Sequence, residues 1–342
     1  MNANETYRAI RLERIAPSFR EGSEIVELPL GQPGPGEIRV RNLHCGVNGI
    51  FDTQIARNAV DYVKIALPTF TGVEAIGTVE AVGEGVTDFA PGDAAVTVRF
   101  TGGYREANLG PAAQFAKAPA ATREYLALAS TGVSAMVALE RIGELKQGET
   151  VAISAAAGGL GHLLVQLAVL KGARVIGVAG GAVKCAFVAS LGAERVIDYR
   201  SEDVDAVLAA EYPGGLDVAV DTVSGAIFDA FLAHLANHGR LVVGGAASDL
   251  EGRPEVVTGP RIAHAIYYKG ASVRGFMNGL LTPHWAEARE RLFALYAQGK
   301  LKVHFDDEAH SGIAGVFGAV ERLLSGRSMG KVVVDLAPQK DM

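Results

Sequence analysis

Six short apolar runs alternate with helix-length stretches between residues 150 and 277, and this alternation constrains the fold more than any other feature. The runs are rich in Val, Ile, Leu and Ala, as buried strands are. Strands are predicted at 151–155, 173–179, 194–198, 216–221, 239–244 and 272–277, and helices at 159–171, 183–191, 202–211, 225–237 and 260–269. Because parallel strands need crossover helices to connect them, the pattern predicts an α/β fold with a doubly wound parallel sheet.

The first 121 residues lack this alternation. They contain short apolar runs broken by Gly and Pro, for example EIRVRNLHCGVN and PGDAAVTV, which are typical of a β-rich domain. The last part of the chain has helices predicted near 284–298 and 312–325 and a final strand in KVVVDL, and it is too short to form a domain alone. We therefore predict a β-rich domain made of 1–121 and 278–342, interrupted by the parallel-sheet domain at 122–277.

Length and charge narrow the class of protein. With 342 residues the chain can form two domains, since single hydrophobic cores rarely grow beyond about 250 residues. A net charge of -6 argues against nucleic acid and anionic membranes as partners. Two cysteines, Cys45 and Cys185, do not make a secreted disulfide framework, and the sequence shows neither a signal peptide nor a run of about 18 apolar residues. We expect a cytoplasmic protein.

A glycine-rich turn follows the first predicted strand of the parallel sheet. The strand VAIS leads into AAAGGLGH and then into the apolar helix LLVQLAVLK. Glycines at this point let the backbone approach a pyrophosphate and let the helix pack closely on the strand, while the helix N–H groups face the phosphates. Gly158, Gly159, Leu160 and Gly161 are therefore predicted to bind a dinucleotide, with Ala156 in place of the first glycine of the usual pattern.

The charge pattern after this turn indicates which dinucleotide is bound. NAD-selective sites place an Asp or Glu at the end of the second strand, where it accepts from the ribose 2′-OH. No Asp or Glu occurs from Thr150 to Ala193, and the second strand is followed by Lys184, a cation suited to a 2′-phosphate. Tyr199 and Arg200, after the third strand, are expected to complete the pocket. NADPH is therefore predicted over NADH; the alternative is that Lys184 is only a solvated lysine on a helix surface.

Several short motifs, spread over nearly the whole chain, resemble one enzyme family. They are Gly46-Val47-Asn48 with Asp52, Gly72-Val73-Glu74-Ala75, Pro91-Gly92-Asp93, Gly103-Tyr104-Arg105-Glu106, the glycine-rich turn, Asp221-Thr222-Val223 and Gly330-Lys331-Val332-Val333. Together they are similar to the zinc-independent branch of the medium-chain dehydrogenase/reductase superfamily, which contains the quinone oxidoreductases and the prostaglandin or enone reductases. The resemblance implies a Rossmann domain inserted into a discontinuous, GroES-like β-rich catalytic domain.

The resemblance also implies that no metal is bound. Zinc alcohol dehydrogenases carry a catalytic Cys where this chain has Asn48, and a His where it has Val73. A structural zinc lobe needs four closely spaced thiolates, which two isolated cysteines cannot supply. We therefore expect neither a catalytic nor a structural zinc.

Residue by residue, the resemblance implies a set of contacts to the nucleotide. Besides the glycine-rich turn, the set consists of Asn48, Ser134, Lys184, Tyr199, Thr222, Gly244, Gly245, Phe276, Met277, Ser328 and Lys331. Asn48 and Ser134 match positions near the nicotinamide and the substrate, and the strand with Phe276 and Met277 matches the one that lines the nicotinamide pocket. Ser328 stands ahead of the Gly-Lys pair, where the family often has Asn.

Without a metal, the substrate itself must help to carry the incoming negative charge. Hydride transfer to the β-carbon of an enone, or to a quinone, produces an enolate or phenolate that needs hydrogen-bond donors. Asn48 is the predicted donor and Tyr62 the predicted proton source, with Tyr104 and solvent as alternatives. The segment GGAASDLEG lacks the Tyr that prostaglandin reductases commonly have after the fifth strand.

Two further expectations concern the whole protein. The sixth strand, in ASVRGFMNG, would lie at the sheet edge, and an exposed apolar edge is a liability unless it is paired, so we expect a homodimer. The predicted reaction is the NADPH-dependent reduction of an activated alkene, such as an α,β-unsaturated carbonyl compound, or of a quinone. Since a fold does not guarantee an activity, the alternative is a non-catalytic NADPH-binding sensor or structural protein.

Overall fold

The chain folds into two compact units, and the computed structural model describes residues 5–59, 65–97, 99–249 and 256–336. Unit 1 contains residues 1–130 and 305–342, and unit 2 contains residues 131–304. These units begin and end at other residues than the predicted domains, whose boundaries stay a prediction. The helix Trp285–Ala297 lies in unit 2, because it packs against the helix Val133–Val137 of the same unit.

The helices and strands follow one another along the chain in three blocks. Unit 1 begins with β1 (Thr6–Leu12), α1 (Phe19–Gly22), β2 (Ser23–Pro29), β3 (Glu37–Gly46), α2 (Gly49–Ala56), β4 (Thr69–Phe70), β5 (Glu74–Val82), β6 (Ala94–Thr97), β7 (Ala107–Pro111), β8 (Phe115–Ala118) and α3 (Arg123–Ala127). Unit 2 contains α4 (Val133–Val137), β9 (Thr150–Ile153), α5 (Gly161–Leu170), β10 (Arg174–Ala179), α6 (Ala182–Ser190), β11 (Arg195–Asp198), α7 (Val204–Glu211), β12 (Leu216–Asp221), α8 (Gly225–Ala233), β13 (Leu235–Val243), α9 (Ala263–Tyr267), β14 (Ser272–Gly275) and α10 (Trp285–Ala297). Unit 1 resumes with β15 (His310–Ser311), α11 (Gly312–Leu324) and β16 (Val333–Asp335). None of the helices in the described ranges is both long enough and apolar enough to cross a bilayer.

Unit 1 is built on β-sheets, as its short apolar runs predict. In the larger sheet the strand order is β15-β16-β3-β5-β6-β8, with β7 also paired to β3. A smaller sheet has the order β2-β1-β4. Buried side chains of β1, α2, α11 and β16, among them Ile10, Ile55, Val316 and Val334, form one hydrophobic cluster. Strands from both ends of the chain therefore share a core, and the C-terminal segment completes unit 1 rather than forming a unit of its own.

Unit 2 confirms the predicted doubly wound sheet. Among the described residues its six strands are all parallel, in the order β11-β10-β9-β12-β13-β14. This is the strand order of a Rossmann sheet, in which ligands bind at the carboxyl ends of the strands where the order reverses, here at β9 and β12. Both strands are buried along almost their whole length, which accounts for the apolar runs VAI and VAV at their centres.

The helix predicted before β13 runs too far into that strand. The helix predicted over 225–237 ends at Ala233, and β13 begins at Leu235 rather than at residue 239. Leu235 pairs with Leu216 of β12 before the register shifts further along the strands. Sheet pairing therefore overrides the helical apolar spacing of this segment, as tertiary contacts often override local propensity.

Candidate active site

Three strands of the larger sheet in unit 1 bring Asn48, Glu74 and Lys331 together. β3 ends at Gly46, shortly before Asn48, and Gly46 pairs with Glu74, the first residue of β5. On the other side of β3, Gly46 pairs with Val333 at the start of β16, shortly after Lys331. The three residues meet, although they are far apart in sequence, because β3 is central and antiparallel to both neighbours.

The side chain of Asn48 is held from two sides. Its Nδ2 donates to Glu74 Oε1 at 3.0 Å, and its Oδ1 accepts from Lys331 Nζ at 3.4 Å. Lys331 Nζ also lies 2.5 Å from Glu74 Oε1 and donates to the Val47 carbonyl at 3.1 Å. Glu74 and Lys331 are only 0% and 3% exposed. They form a desolvated ion pair, which is favourable only when hydrogen bonds satisfy its charged groups, as they do here for the ammonium.

Gly46 makes room for this arrangement. A Cβ atom at position 46 would lie 2.3 Å from Glu74 Oε1 and 2.6 Å from Glu74 Cδ, well inside van der Waals contact. Because position 46 is glycine, the Glu74 side chain can lie against β3 and reach the amide of Asn48. The other oxygen of the carboxylate, Glu74 Oε2, has no hydrogen-bond partner among the described residues.

A second buried polar pair, Asp52 and Tyr104, lies in the same unit. Tyr104 is fully buried, and its hydroxyl donates to Asp52 Oδ2. Burial raises the pKa of Asp52 to about 7, although the Tyr104 hydrogen bond and the charge of Lys331 oppose that rise. Burial and the neighbouring Asp52 carboxyl raise the pKa of Tyr104 well above its ordinary value. Tyr104 is therefore poorly suited to be a proton donor, and Tyr62, the predicted donor, lies outside the described residues.

Asp306 holds the loop that carries Ser328. The N–H of Met329 donates to Asp306 Oδ2 at 2.9 Å, and the Asp306 carboxylate pairs with Arg322 at 2.9 Å. Gly330 is buried with a φ of 75°, a conformation that glycine adopts without strain. Ser328 is half-buried on this fixed loop.

In unit 2, the predicted dinucleotide-binding turn connects β9 to α5. The N–H of Gly158 donates to the carbonyl of Ala155, and α5 begins at Gly161 directly after Leu160. A Cβ at Gly161 would lie 2.2 Å from the Ala155 carbonyl oxygen and 2.7 Å from Ala156 Cα, so only glycine permits this close approach of turn and helix. The predicted residues 158–161 thus span the end of the turn and the first residue of α5.

The predicted 2′-phosphate pocket lies after β10, where the chain reads Gly180-Gly181. The ring of Tyr199 packs on Gly180, since a Cβ there would lie 2.6 Å from the Tyr199 hydroxyl oxygen. Gly181 has a φ of 92°, and Lys184 stands in the first turn of α6, which follows at once. Tyr199 and the start of α6 therefore meet at the same turn, with Tyr199 left 49% exposed.

Asp198, at the end of β11, ties this turn to the segment with Arg200. Asp198 Oδ1 accepts from the N–H of Gly181 at 2.8 Å and from the N–H of Arg200 at 3.0 Å. These two backbone donors lower the pKa of Asp198. Arg200 Nη1 lies 3.5 Å from the point where a Cβ of Gly181 would stand. A guanidinium group therefore borders the turn, while the acid next to it is already engaged by backbone donors.

The carboxyl ends of β12, β13 and β14 carry most of the other predicted contacts of unit 2. The N–H of Thr222, just after β12, donates at 2.8 Å to the hydroxyl of Ser154, which follows β9. A Cβ at Gly244 would lie 3.4 Å from Thr222 Cγ2 and 3.5 Å from Phe276 Cδ1. Gly245 packs on the Thr222 backbone as well. Thr222, the two glycines and Phe276 therefore share one edge of the sheet.

The remaining predicted contacts take less constrained places. Met277 follows Phe276 and is 44% exposed. Ser134 is half-buried on α4. Asn48, Ser328 and Lys331 belong to unit 1 and all other predicted contacts to unit 2. Throughout the described ranges, no group of three or more His, Cys, Asp or Glu side chains could hold a metal ion.

Comparison with known proteins identifies the family. Residues 34–138 match the alcohol dehydrogenase GroES-like domain, and residues 159–294 match the zinc-binding dehydrogenase family. The chain is similar to Prostaglandin reductase-3 of Mus musculus, with 35% identity over 97% of this chain and 90% of that protein. It is also similar to a probable quinone oxidoreductase of Leishmania amazonensis, with 31% identity over 98% of this chain and 100% of that one. The chain belongs to the medium-chain dehydrogenase/reductase superfamily.

Within this superfamily, the chain lies in the branch of quinone oxidoreductases and enone reductases, as its motifs predict. Its fold is similar to that of Escherichia coli quinone oxidoreductase, solved in complex with NADPH. The TM-score is 0.84 at 29% identity, over 96% of this chain and 99% of that one. The GroES-like and Rossmann-type architecture predicted from the sequence is therefore confirmed.

Two residues that shape the site in this member of the superfamily, Glu74 and Asp198, are not among the predicted contacts. Glu74 belongs to the motif Gly72-Val73-Glu74-Ala75, and Asp198 directly precedes Tyr199 and Arg200. A glutamate at the start of the mostly apolar run EAIGTV is the signal that could have found Glu74, because a buried carboxylate needs a cation or several donors. An Asp at the start of a turn is a weaker signal for Asp198, since such residues commonly accept from nearby backbone N–H groups.

Proposed function

We propose that this protein is an NADPH-dependent, zinc-independent reductase that transfers hydride to an activated alkene or to a quinone. The observation that carries the proposal is the setting of Asn48. Its amide is held between the carboxylate of Glu74 and the ammonium of Lys331, and it offers a neutral hydrogen-bond donor. Such a donor stabilises a developing oxyanion, but conjugation in the substrate must spread the rest of the charge.

The residues of unit 2 fit a dinucleotide that carries a 2′-phosphate. The tight turn before α5 leads to a helix N-terminus, where N–H groups and the helix dipole favour a pyrophosphate. Arg200 borders the turn after β10, and Lys184 stands in the helix turn that follows. The structure of the similar Escherichia coli quinone oxidoreductase was solved in complex with NADPH. This supports NADPH as the cofactor of the present protein.

Each predicted contact then has a role to test. Residues 158–161 would hold the pyrophosphate, and Lys184, Tyr199 and Arg200 would hold the 2′-phosphate. Of the predicted contacts in unit 2, Ser134, Thr222, Gly244, Gly245, Phe276 and Met277 would hold the nicotinamide half, while Asn48 in unit 1 would bind the substrate oxygen. NADPH supplies the hydride when it is bound. The part of the protein in the chemical step is to orient the substrate and to donate hydrogen bonds to the oxygen that gains charge.

The surroundings of position 48 favour a site without zinc. Asn48 replaces the thiolate ligand expected in a zinc enzyme, and Lys331 Nζ lies 3.4 Å from Asn48 Oδ1. A neutral amide is not among the Cys, His and carboxylate ligands that normally bind zinc in proteins. We expect much less than one zinc per chain by elemental analysis, and turnover that chelators leave intact. Stoichiometric zinc together with chelator-sensitive turnover would contradict the proposal.

The proton that completes the reaction comes from Tyr62 or from solvent. The buried hydroxyl of Tyr104 already donates to Asp52, and its raised pKa opposes ionisation. A positioned general acid contributes about 10²-fold or more to turnover. A loss of that size in Tyr62→Phe would assign the proton to Tyr62, whereas nearly unchanged turnover would assign it to solvent.

A substrate panel followed by the loss of NADPH absorbance tests the proposed reaction. Conjugated ketones, conjugated aldehydes and quinones should be reduced, and saturated ketones should not. Asn48→Ala should lower turnover about 10²-fold, the size expected when one oxyanion donor is removed, with NADPH affinity nearly unchanged. Efficient oxidation of a secondary alcohol, with no turnover of any enone or quinone, would overturn the proposal.

A further inference from the structure

An asparagine amide can sit in two orientations of almost the same shape, and only its hydrogen-bond partners decide between them. At Asn48 the two ends of the amide face opposite charges. Nδ2 donates to the carboxylate of Glu74 at 3.0 Å, and Oδ1 accepts from the ammonium of Lys331 at 3.4 Å. Turning the amide over would set its oxygen against the carboxylate and its NH₂ group against the ammonium. The pair therefore selects one orientation.

This orientation leaves a donor for a substrate. Nδ2 carries two N–H groups, and Glu74 Oε1 is the acceptor that the described residues provide for Nδ2. Lys331 in turn has acceptors for its three N–H groups in Glu74, Asn48 and the Val47 carbonyl. These three acceptors all lie in unit 1, and they hold the ammonium against the amide of Asn48.

We propose that Glu74 and Lys331 are a positioning pair that fixes the amide of Asn48 with one N–H directed to the oxygen of the substrate. This inference rests on the proposed function, in which Asn48 holds the developing oxyanion. The ammonium at Asn48 Oδ1 also polarises the amide and strengthens the remaining N–H as a donor. The rival explanation is that the buried ion pair only holds β3, β5 and β16 together.

A double-mutant cycle separates these explanations, because a residue that acts through Asn48 has nothing to act on once Asn48 is removed. Glu74→Gln should lower kcat about tenfold in the native background, a fraction of the loss expected for removing the donor outright. In an Asn48→Ala background, the same change should lower kcat less than about twofold. The Kd for NADPH should stay unchanged in both. An equal loss of kcat in both backgrounds would overturn the proposal.

Two further variants control for folding. Glu74→Gln leaves the Lys331 ammonium buried without a counter-charge, which alone can destabilise the fold. The double variant Glu74→Gln with Lys331→Met removes both charges and should show at least the loss of kcat seen in Glu74→Gln, in a folded protein. Glu80→Gln is the matched control, since Glu80 also lies on β5 and forms an ion pair at 3.0 Å with the buried Arg39. Its kcat should equal that of the native enzyme.

Side-chain amide NMR gives a readout that needs no turnover. The spectra are recorded on the protein without added ligand. The Nδ2 signals of Asn48 are those that are missing from the spectrum of Asn48→Ala. One Nδ2 proton should exchange slowly with water in the native protein, because it is donated to a buried carboxylate, and should exchange faster in Glu74→Gln. Unchanged exchange would overturn the positioning role. Absence of turnover with every enone and quinone would instead overturn the proposed function, and the amide signals would still decide the role of the pair.

Discussion

The carboxyl group of Asp52 is almost completely buried in the folded protein, and it accepts few hydrogen bonds that would compensate for the lost water contacts. It is 1% exposed, its Oδ2 accepts from Tyr104, and its Oδ1 has no partner among the described residues. Burial raises the pKa of Asp52 to about 7. The folded protein therefore keeps this proton at pH values where the unfolded chain has already released it. The contribution of Asp52 to stability declines as the pH rises from its ordinary pKa to about 7, and stays low above that.

Asp52→Asn should remove this decline, because an amide does not ionise and its oxygen can still accept from Tyr104. Between about pH 5 and about pH 8, the free energy of unfolding of the native protein should fall relative to the variant by about 2–3 kcal/mol. Urea unfolding at the two pH values measures it. In the control, Asp93→Asn, no such change is expected, since the Lys117 hydrogen bond lowers the pKa of Asp93. If the free energies of unfolding of the native protein and Asp52→Asn differed by the same amount at both pH values, the pKa of Asp52 would not be raised.

Lys184 is the residue on which the preference for NADPH should depend. It stands in the first turn of α6, beside the turn bordered by Tyr199 and Arg200. A charge-assisted hydrogen bond contributes about 1.5–3 kcal/mol, so Lys184→Ala should reduce the preference for NADPH over NADH about tenfold or more. Calorimetric titration of both cofactors measures this, with Lys171→Ala on the same unit as control. Equal affinity of the native protein for both cofactors would refute the assignment.

At the scale of helices and strands, the closest backbone packing in the candidate site is at the turn between β9 and α5. A Cβ at Gly161 would meet the backbone of Ala155 at 2.2 Å, and backbone cannot yield as a flexible side chain can. Gly161→Ala should therefore lower the free energy of unfolding by at least about 2 kcal/mol and weaken NADPH binding. Gly214→Ala, where a Cβ meets nothing within 4 Å, should stay within about 0.5 kcal/mol of the native protein. Similar unfolding midpoints for the two variants would contradict this account.

The elements of unit 2 were predictable because each sequence pattern has a local cause. The runs VAI at 151–153 and VAV at 218–220 are apolar because both strands are buried on both faces. The error at residues 234–238 has a non-local cause, because Leu235 belongs to β13 only through its pairing with Leu216. Spacing along one segment cannot reveal a partner on another strand.

At the scale of the whole molecule, the candidate site was also hard to predict, because spacing along one segment does not reveal contacts with distant segments. Asn48 was found from a motif, but the pair that holds it comes from positions 26 and 283 residues away in sequence. Only the order of β16, β3 and β5 brings these side chains together. The glycine-rich turn was predictable, in contrast, because its strand, turn and helix are consecutive.

The edge of the six-stranded sheet bears on how the protein assembles. β14 lies at one end of that sheet and pairs on one side with β13. The helix α9 leads into β14 and packs Ala265 and Ile266 against the core of unit 2. The residues that follow, Tyr267 and Tyr268, are each 77% exposed. Within the described ranges β14 has no partner on its outer side, and such a strand edge flanked by exposed aromatic rings favours association with a second copy.

We therefore expect a twofold dimer joined through this edge, since a twofold axis pairs β14 of one subunit with β14 of the other and so covers this edge in both. Light scattering at micromolar concentration should give twice the chain mass. Replacing Tyr267 and Tyr268 together by Glu should raise the dissociation constant at least about tenfold, because charged side chains at the core of an interface are strongly unfavourable. Ile15→Glu, at a 49% exposed apolar position of unit 1, should leave the dimer intact. A monomer mass for the native protein over the whole concentration range would rule the dimer out, and a tyrosine variant that dimerises as tightly as the native protein would place the interface elsewhere.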